Sequence, residues 1–237
     1  KPFNPKIILC SSIDLYDSGN KSDLNLNYAE SFLAKQAIDN KINARVVRLS
    51  AVYGPRMHFR ASDPIIRLIK SAISGKLNTE PTPLEFTTRA LFIKDAVKLL
   101  IKTLMHGSTA QKIYDGAATH PIKVSEIKQV LMDPLWYEEK GFTPTLLPPW
   151  PTPNLNKTFK ELIFKPSEDI VVALKETLAY FHAHRDKIPA GEFDKTESGS
   201  AEAMVEKEEV EAEAEGEEKR SIKHNNQKLY YLPKINF

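Results

Sequence analysis

The apolar positions of this chain fall into short runs that alternate with stretches of helical spacing. Residues 7–10 form an apolar run, residues 43–54 are rich in β-branched side chains, and residues 112–115 form a shorter run of this kind. Each run closes on small or polar residues. That pattern is typical of buried parallel strands whose carboxyl ends face a crevice. Helical spacing is found over 28–37, 62–75 and 94–106, and again from Ser125 and from Ser167. Alternating strands and helices predict a doubly wound, parallel α/β sheet.

Residues at the helix ends predict where several helices begin and stop. Ser62 is expected to cap a helix that carries Pro64 in its first turn and stops at Gly75. Asp95 is expected to cap the helix over 94–106. Ser125 and Ser167 are expected to open the two helices that follow.

The composition changes beyond Pro189 and predicts the domain organisation. Residues 194–220 contain no aromatic residue, leucine or isoleucine, and cannot bury enough apolar surface to offset the entropy of ordering. We therefore predict an α/β domain over 1–190, an acidic disordered linker over 191–227 and an apolar tail over 228–237. The five prolines in 144–153 predict a stiff extended connector.

Charge and cysteine content narrow the class of protein. The 194–220 segment has eleven acidic and four basic residues, a net charge of −7, so the total of +2 leaves +9 on the rest. A moderately basic body suits an anionic small molecule and is weak evidence for nucleic acid, and none is expected as a partner. Cys10 is the single cysteine and is expected to be a small buried strand residue; the absence of a disulfide favours the cytoplasm. No apolar run is long enough to span a membrane, and no motif has metal-ligand spacing.

The glycines are too far apart for a phosphate-binding loop. They occupy positions 19, 54, 75, 107, 116, 141, 191, 199 and 216, and no two of them have the G-x-G-x-x-G spacing. The sequence as given therefore has no dinucleotide fingerprint.

Hydroxyl groups at the end of the first strand provide the candidate chemistry. Ser11 and Ser12 close the 7–10 run, and Tyr28 opens the helical pattern that follows. A hydroxyl at a strand end beside a tyrosine on the next helix is a plausible acid/base pair.

Five motifs, in this order, resemble the extended short-chain dehydrogenase/reductases, the NAD-dependent nucleotide-sugar epimerases and dehydratases. They are Ser-Ser-x-x-x-Tyr from Ser11, Tyr-x-x-Ser from Tyr28, residues 48–55, residues 89–95 and residues 113–116. The resemblance covers about residues 5–188 and implies a Rossmann-type sheet, incomplete in its first half, with a small carboxyl-terminal substrate-binding region. It also implies hydride and proton transfer at a sugar hydroxyl, with NAD as cofactor.

The same resemblance assigns roles to individual residues. It implies that Ser12 and Tyr28 are catalytic and that Ser11 and Ser50 lie at the cofactor. It implies that Tyr53, Arg56 and Arg89 bind the nucleotide-sugar substrate, and that a homodimer forms through the Tyr28 helix.

Two positions depart from the family pattern and leave alternatives open. Phe32 occupies the position where the family has a lysine, and in the family that lysine lowers the pKa of the catalytic tyrosine. Ala51 occupies a position where many family members have an asparagine. With the glycine loop missing, the rival hypothesis is a catalytically degenerate member, or a fragment, that acts as a binding or scaffold subunit. Tyr28 is then a half-buried aromatic at a helix start, and Arg89 is a surface arginine paired with a carboxylate.

Overall fold

The structure is a computed structural model that describes residues 5–16, 24–39, 42–59, 63–82, 86–107, 112–133, 141, 153–167 and 169–185. These residues belong to one compact unit that extends through Ile188, and a second unit, 189–236, lies outside them. The predicted acidic linker, the apolar tail and nearly all of the predicted proline-rich connector also lie outside the described residues.

The predicted parallel sheet is confirmed. Strand β1 (Ile7–Ser12) pairs in parallel with β2 (Ala44–Leu49), which pairs in parallel with β6 (Ile113–Gly116), giving the order β1-β2-β6. Two further pairs lie beside this sheet: β3 (Val52–Tyr53) with β5 (Leu91–Phe92) in parallel, and β4 (Thr87–Thr88) with β7 (Ile122–Lys123) antiparallel.

Helices follow the strands along the chain, as expected for an α/β fold. They are α1 (Leu24–Asp39), α2 (Pro64–Ser74), α3 (Ile93–Met105), α4 (Val124–Met132), α5 (Leu155–Leu162) and α6 (Ile170–Ala183). No helix in the described ranges is both long and apolar enough to cross a bilayer.

The two faces of the central sheet are covered differently. Val47 and Tyr114 pair across β2 and β6 and pack with Leu99 of α3 in one buried cluster. Arg48, the next residue of β2, points to the other face and binds Glu30 of α1. Because side chains alternate along a strand, α1 and α3 cover opposite faces of the sheet.

Two predicted element boundaries and the predicted burial of Cys10 were wrong. Helix α1 begins at Leu24, so Tyr28 lies in its second turn. The strand predicted over 43–54 is two strands, because β2 ends at Leu49 and β3 pairs in a different sheet. Cys10 is exposed because β1 is at the edge of its sheet in the described part of the chain.

The helix ends also differ from the predictions in part. Gly75 does stop α2, with φ 74°, but the capping side chain is that of Asp63, whose Oδ1 accepts from the Ile65 N–H at 2.9 Å. Ser125 lies inside α4.

The predicted cap Asp95 is buried in the first turn of α3, where its carboxylate accepts hydrogen bonds from the backbone N–H and hydroxyl of Ser167. Ser167 therefore precedes the last helix and joins it to α3, and Asp169 caps that helix.

Candidate functional site

A crevice of about 870 Å³ lies at the carboxyl ends of β1, β2 and β3. In open parallel sheets this edge is where ligands bind, and the volume lies in the range of small-molecule sites. The lining includes five of the seven predicted site residues: Ser11, Ser12, Ser50, Tyr53 and Arg56. Tyr28 and Arg89 are not part of it.

The end of β1 brings hydroxyl and carboxylate groups to the crevice wall. The Ser12 hydroxyl donates to Asp14 Oδ2 at 2.8 Å and accepts from the Asp14 backbone N–H at 3.1 Å. The Ser11 Oγ is buried and has no hydrogen-bond partner among the described residues. Because a buried hydroxyl without a partner is costly, Ser11 offers a hydrogen bond that a ligand in the crevice is able to complete.

A tight turn after Tyr53 also lines the crevice. The backbone N–H of Met57 donates to the carbonyl of Gly54, whose φ is 144°. A side chain at Gly54 would collide with Ile93, so this position requires glycine. Arg56 has a φ of 67°, which is unusual for a residue with a side chain, and lies exposed on the crevice. Non-glycine residues in this conformation occur preferentially at functional sites.

The crevice also contains acidic groups that the sequence did not single out. Asp63 lines it with Asp14, and burial, followed by the charge of Asp14, raises the pKa of Asp63. Carboxylates accept hydrogen bonds and suit the hydroxyl groups of a sugar, whereas Arg56 suits a phosphate. Among the described residues no group of three or more His, Cys, Asp or Glu side chains forms a metal site.

Arg89 lies outside the crevice lining and makes backbone contacts. Its Nη1 donates to the carbonyl oxygens of Ala118 and Thr119, at 3.1 and 2.7 Å. Its own carbonyl accepts from the Ser50 hydroxyl at 2.8 Å. Burial lowers the pKa of Arg89, and its Nε has no partner in the described part of the chain. Arg89 and Ser50 thus connect the ends of β2 and β6, and their ligand roles stay predictions.

Tyr28 lies on the outside of α1. Its side chain is 73% exposed and stacks on that of Phe32, 52% exposed, with ring centroids 6.3 Å apart. It is therefore not the half-buried aromatic of the alternative interpretation. The structure does not bring Tyr28 into the crevice with Ser12, and its catalytic role stays a prediction. The exposed aromatic pair is compatible with the predicted dimer through α1.

A network behind the crevice was missed by the sequence analysis. Arg48 Nε and Nη2 donate to the Glu30 carboxylate at 3.0 and 2.7 Å, and the guanidinium lies 4.6 Å from the centroid of the Tyr16 ring. The Tyr16 hydroxyl donates to both oxygens of Asp115, at 3.1 and 2.9 Å. A charged residue within a buried strand needs a partner. The position of Arg48 inside the predicted strand over 43–54 was therefore the signal in the sequence that could have revealed this network.

The ionisation of this network follows from its burial. Burial, together with the Asp115 carboxylate, raises the pKa of Tyr16 to about 12. Burial also raises the pKa of Asp115, although its hydrogen bonds oppose that change. The phenol thus stays protonated and donating, and the network connects α1, β2 and β6 with the turn that follows β1.

Comparison with known proteins identifies the fold. No protein-family model matches the sequence, and no curated protein does. Among solved structures, the Bordetella bronchiseptica enzyme WbmF in complex with NAD⁺ matches with a TM-score of 0.60 and 19% identity, over 83% of this chain and 64% of that one. The Thermotoga maritima UDP-glucose 4-epimerase with UDP-glucose matches with a TM-score of 0.59 and 17% identity, over 76% of this chain and 64% of that one.

A third match is the Bacillus anthracis dTDP-glucose 4,6-dehydratase in complex with NAD, with a TM-score of 0.59 and 15% identity, over 76% of this chain and 63% of that one. The chain therefore spans less than two thirds of the length of these enzymes. It has the Rossmann-type fold of NAD-dependent nucleotide-sugar epimerases and dehydratases, as the motif resemblance predicts.

Proposed function

We propose that this chain is a member of the extended short-chain dehydrogenase/reductases that binds a nucleotide sugar in the crevice at the ends of β1, β2 and β3. The observation that supports it most is the lining itself, which combines an arginine with hydroxyl and carboxylate groups. Arg56 would bind the diphosphate, and Ser12 with Asp14 would contact sugar hydroxyls. The buried Ser11 hydroxyl would gain its missing hydrogen bond.

The second candidate is NAD-dependent epimerase or dehydratase activity. The Ser12 hydroxyl at the crevice and the fold shared with NAD complexes favour it. The described residues do not fit the cofactor, however: Phe32 stands where the resemblance implies a lysine, and Tyr28 points outward. We therefore favour binding without chemistry over this second candidate.

Calorimetric titration with UDP-glucose tests the binding proposal. We expect a dissociation constant in the micromolar range for the unmodified chain. Arg56→Gln should weaken binding by about 10- to 100-fold, because a charge-assisted hydrogen bond contributes about 1.5–3 kcal/mol. Arg185→Gln is the matched control, since Arg185 is an exposed arginine outside the crevice lining, and should leave the affinity unchanged.

The outcomes separate the two candidates. Absence of UDP-glucose binding at millimolar concentration, or equal affinity of the Arg56→Gln variant, would contradict the binding proposal. A parallel titration with NAD and NADH tests the second candidate. Micromolar cofactor binding, with turnover lost in Ser12→Ala and in Tyr28→Phe, would move the assignment to the enzyme.

A further inference from the structure

The charged groups of the crevice do not balance. Asp14 and Asp63 both line it, whereas Arg56 is the only member of the lining that is a lysine or an arginine, within the part of the chain that the structure describes. Counting His58 as neutral, the lining therefore has two carboxyl groups against one guanidinium. A crevice focuses the field of such an excess charge onto its ligand.

The two carboxyl groups are held in place by hydrogen bonds but not by cations. Asp14 Oδ2 accepts from the Ser12 hydroxyl at 2.8 Å, and Asp63 Oδ1 accepts from the Ile65 N–H at 2.9 Å. Neither forms an ion pair with any described lysine, arginine or histidine. Burial raises the pKa of Asp63 and the charge of Asp14 adds to this, although the Ile65 N–H and Arg67 oppose it. Further negative charge is therefore unfavourable here.

These charges orient a nucleotide sugar. Its diphosphate is anionic and binds best at Arg56, because a guanidinium matches phosphate oxygens and the two carboxylates repel them. The sugar then lies beside Asp14 and Asp63. Sugar hydroxyl groups are able to donate to carboxylate oxygens, which accept hydrogen bonds only. A sugar carboxylate has no proton to donate and adds a third negative charge.

We propose that Asp14 and Asp63 make the crevice selective for nucleotide sugars whose sugar is uncharged, and that they exclude sugars bearing a carboxylate. The inference rests on the proposed function, since it names the class of sugar for the same crevice. Specificity between ligands of similar size requires an element that disfavours the wrong one, and like charges provide it.

The size of the discrimination follows from Coulomb's law. Two like charges about 6 Å apart, at an effective dielectric constant of about 20, repel strongly enough to change a dissociation constant about 100-fold. Water that enters the open crevice weakens this repulsion. We therefore expect a sugar carboxylate to weaken binding by about 10- to 100-fold.

Calorimetric titration of the full chain with UDP-glucose and with UDP-glucuronate tests the proposal. The two ligands share the uridine and the diphosphate, and differ at one sugar carbon, which bears a hydroxymethyl group in one and a carboxylate in the other. EDTA prevents a divalent cation from bridging the carboxylates. UDP-glucuronate should bind about 10- to 100-fold more weakly at about 50 mM salt, and the ratio of dissociation constants should fall at about 500 mM.

Asparagine variants measure the contribution of each carboxylate. Asp14→Asn and Asp63→Asn should each reduce the ratio at least about threefold, and the double variant should bring it near 1. A ratio cancels any effect on the shared diphosphate. Asparagine caps helices about as well as aspartate, so Asp63→Asn keeps the start of α2. Asp39→Asn is the matched control, because Asp39 is exposed at the end of α1 and outside the lining, and should leave the ratio unchanged.

The outcomes distinguish this inference from the proposed function. Equal affinity for the two ligands, or tighter binding of UDP-glucuronate, would overturn the inference and leave nucleotide-sugar binding intact. A ratio that persists in the double variant would also overturn it, because the discrimination would then depend on shape. If neither ligand binds at millimolar concentration, the proposed function fails, and the inference fails with it. Circular dichroism verifies that each variant is folded.

Discussion

The ion pair between Glu30 and Arg48 should be among the largest single contributions to the stability of this fold. Its two hydrogen bonds, of 3.0 and 2.7 Å, join α1 to the middle strand of the sheet. The Glu30 and Arg48 side chains are only 6% and 16% exposed. Replacing Glu30 with leucine removes both bonds and leaves a largely buried guanidinium without its counter-charge.

The expected loss can be estimated from this geometry. Removing one partner of a buried ion pair costs about 3–5 kcal/mol. Arg48 keeps the Tyr16 ring and some contact with water, which places Glu30→Leu near the lower end, at about 3 kcal/mol. For a domain of this size that is a fall in melting temperature of roughly 6–12 °C. The double variant Glu30→Leu/Arg48→Leu should recover about half of the loss or more, because no isolated charge remains buried.

Urea denaturation of the four members of this cycle measures the effect. The coupling free energy should exceed about 2 kcal/mol. The matched control is Glu176→Leu: its pair with Lys94, at 2.6 Å, is just as short but 36% and 56% exposed, and should contribute under about 1 kcal/mol. A loss below about 1 kcal/mol for Glu30→Leu, or additive single effects, would refute the argument that burial makes this pair important.

Two further predictions concern the packing and the ionisation of the sheet. Gly116→Ala should cost about 1–3 kcal/mol by urea denaturation, because its Cβ would lie 2.5 Å from Leu99 Cδ2; Gly107→Ala, with open space around it, should be nearly neutral. The pKa of Tyr16 is raised to about 12 in the folded chain, so the phenol ionises first in the unfolded chain. The contribution of Tyr16 to folding stability is therefore complete below about pH 10 and is lost between about pH 10 and pH 12. Tyr16→Phe should therefore flatten that part of the stability profile, and an unchanged slope would contradict it.

Much of the fold was predictable because its elements are locally encoded. Short runs that close on small or polar residues predicted β1 and β6, the spacing of the apolar residues predicted α2, and the glycine at 75 stops its helix as expected. The caps of the later helices were less predictable. Asp95 and Ser167 are both good capping residues, but they bind each other across 72 positions, and no local pattern encodes that choice.

The residues of the candidate site were likewise predictable only in part. Ser11 and Ser12 could be placed at the crevice from the sequence because parallel strands end at one edge of a sheet, and the turn after Tyr53 was likewise recognisable. The orientation of Tyr28 was not, since the face of α1 that packs on the sheet carries Glu30 and Ala34, and Tyr28 lies on the exposed side. Asp14 and Asp63 share the crevice because the turn after β1 and the start of α2 both line it, although they are far apart in the chain.

The sequence by itself determined the class of fold, the order of its elements and the hydroxyl groups at the end of β1, because strand runs and helical spacing are encoded within a few residues. The tertiary structure decided which of the candidate residues share a crevice, that Arg89 bonds to backbone carbonyls, and that Arg48, Tyr16 and Asp115 form one network. These outcomes depend on distances between segments far apart in the chain, which only the packing of the helices on the sheet sets.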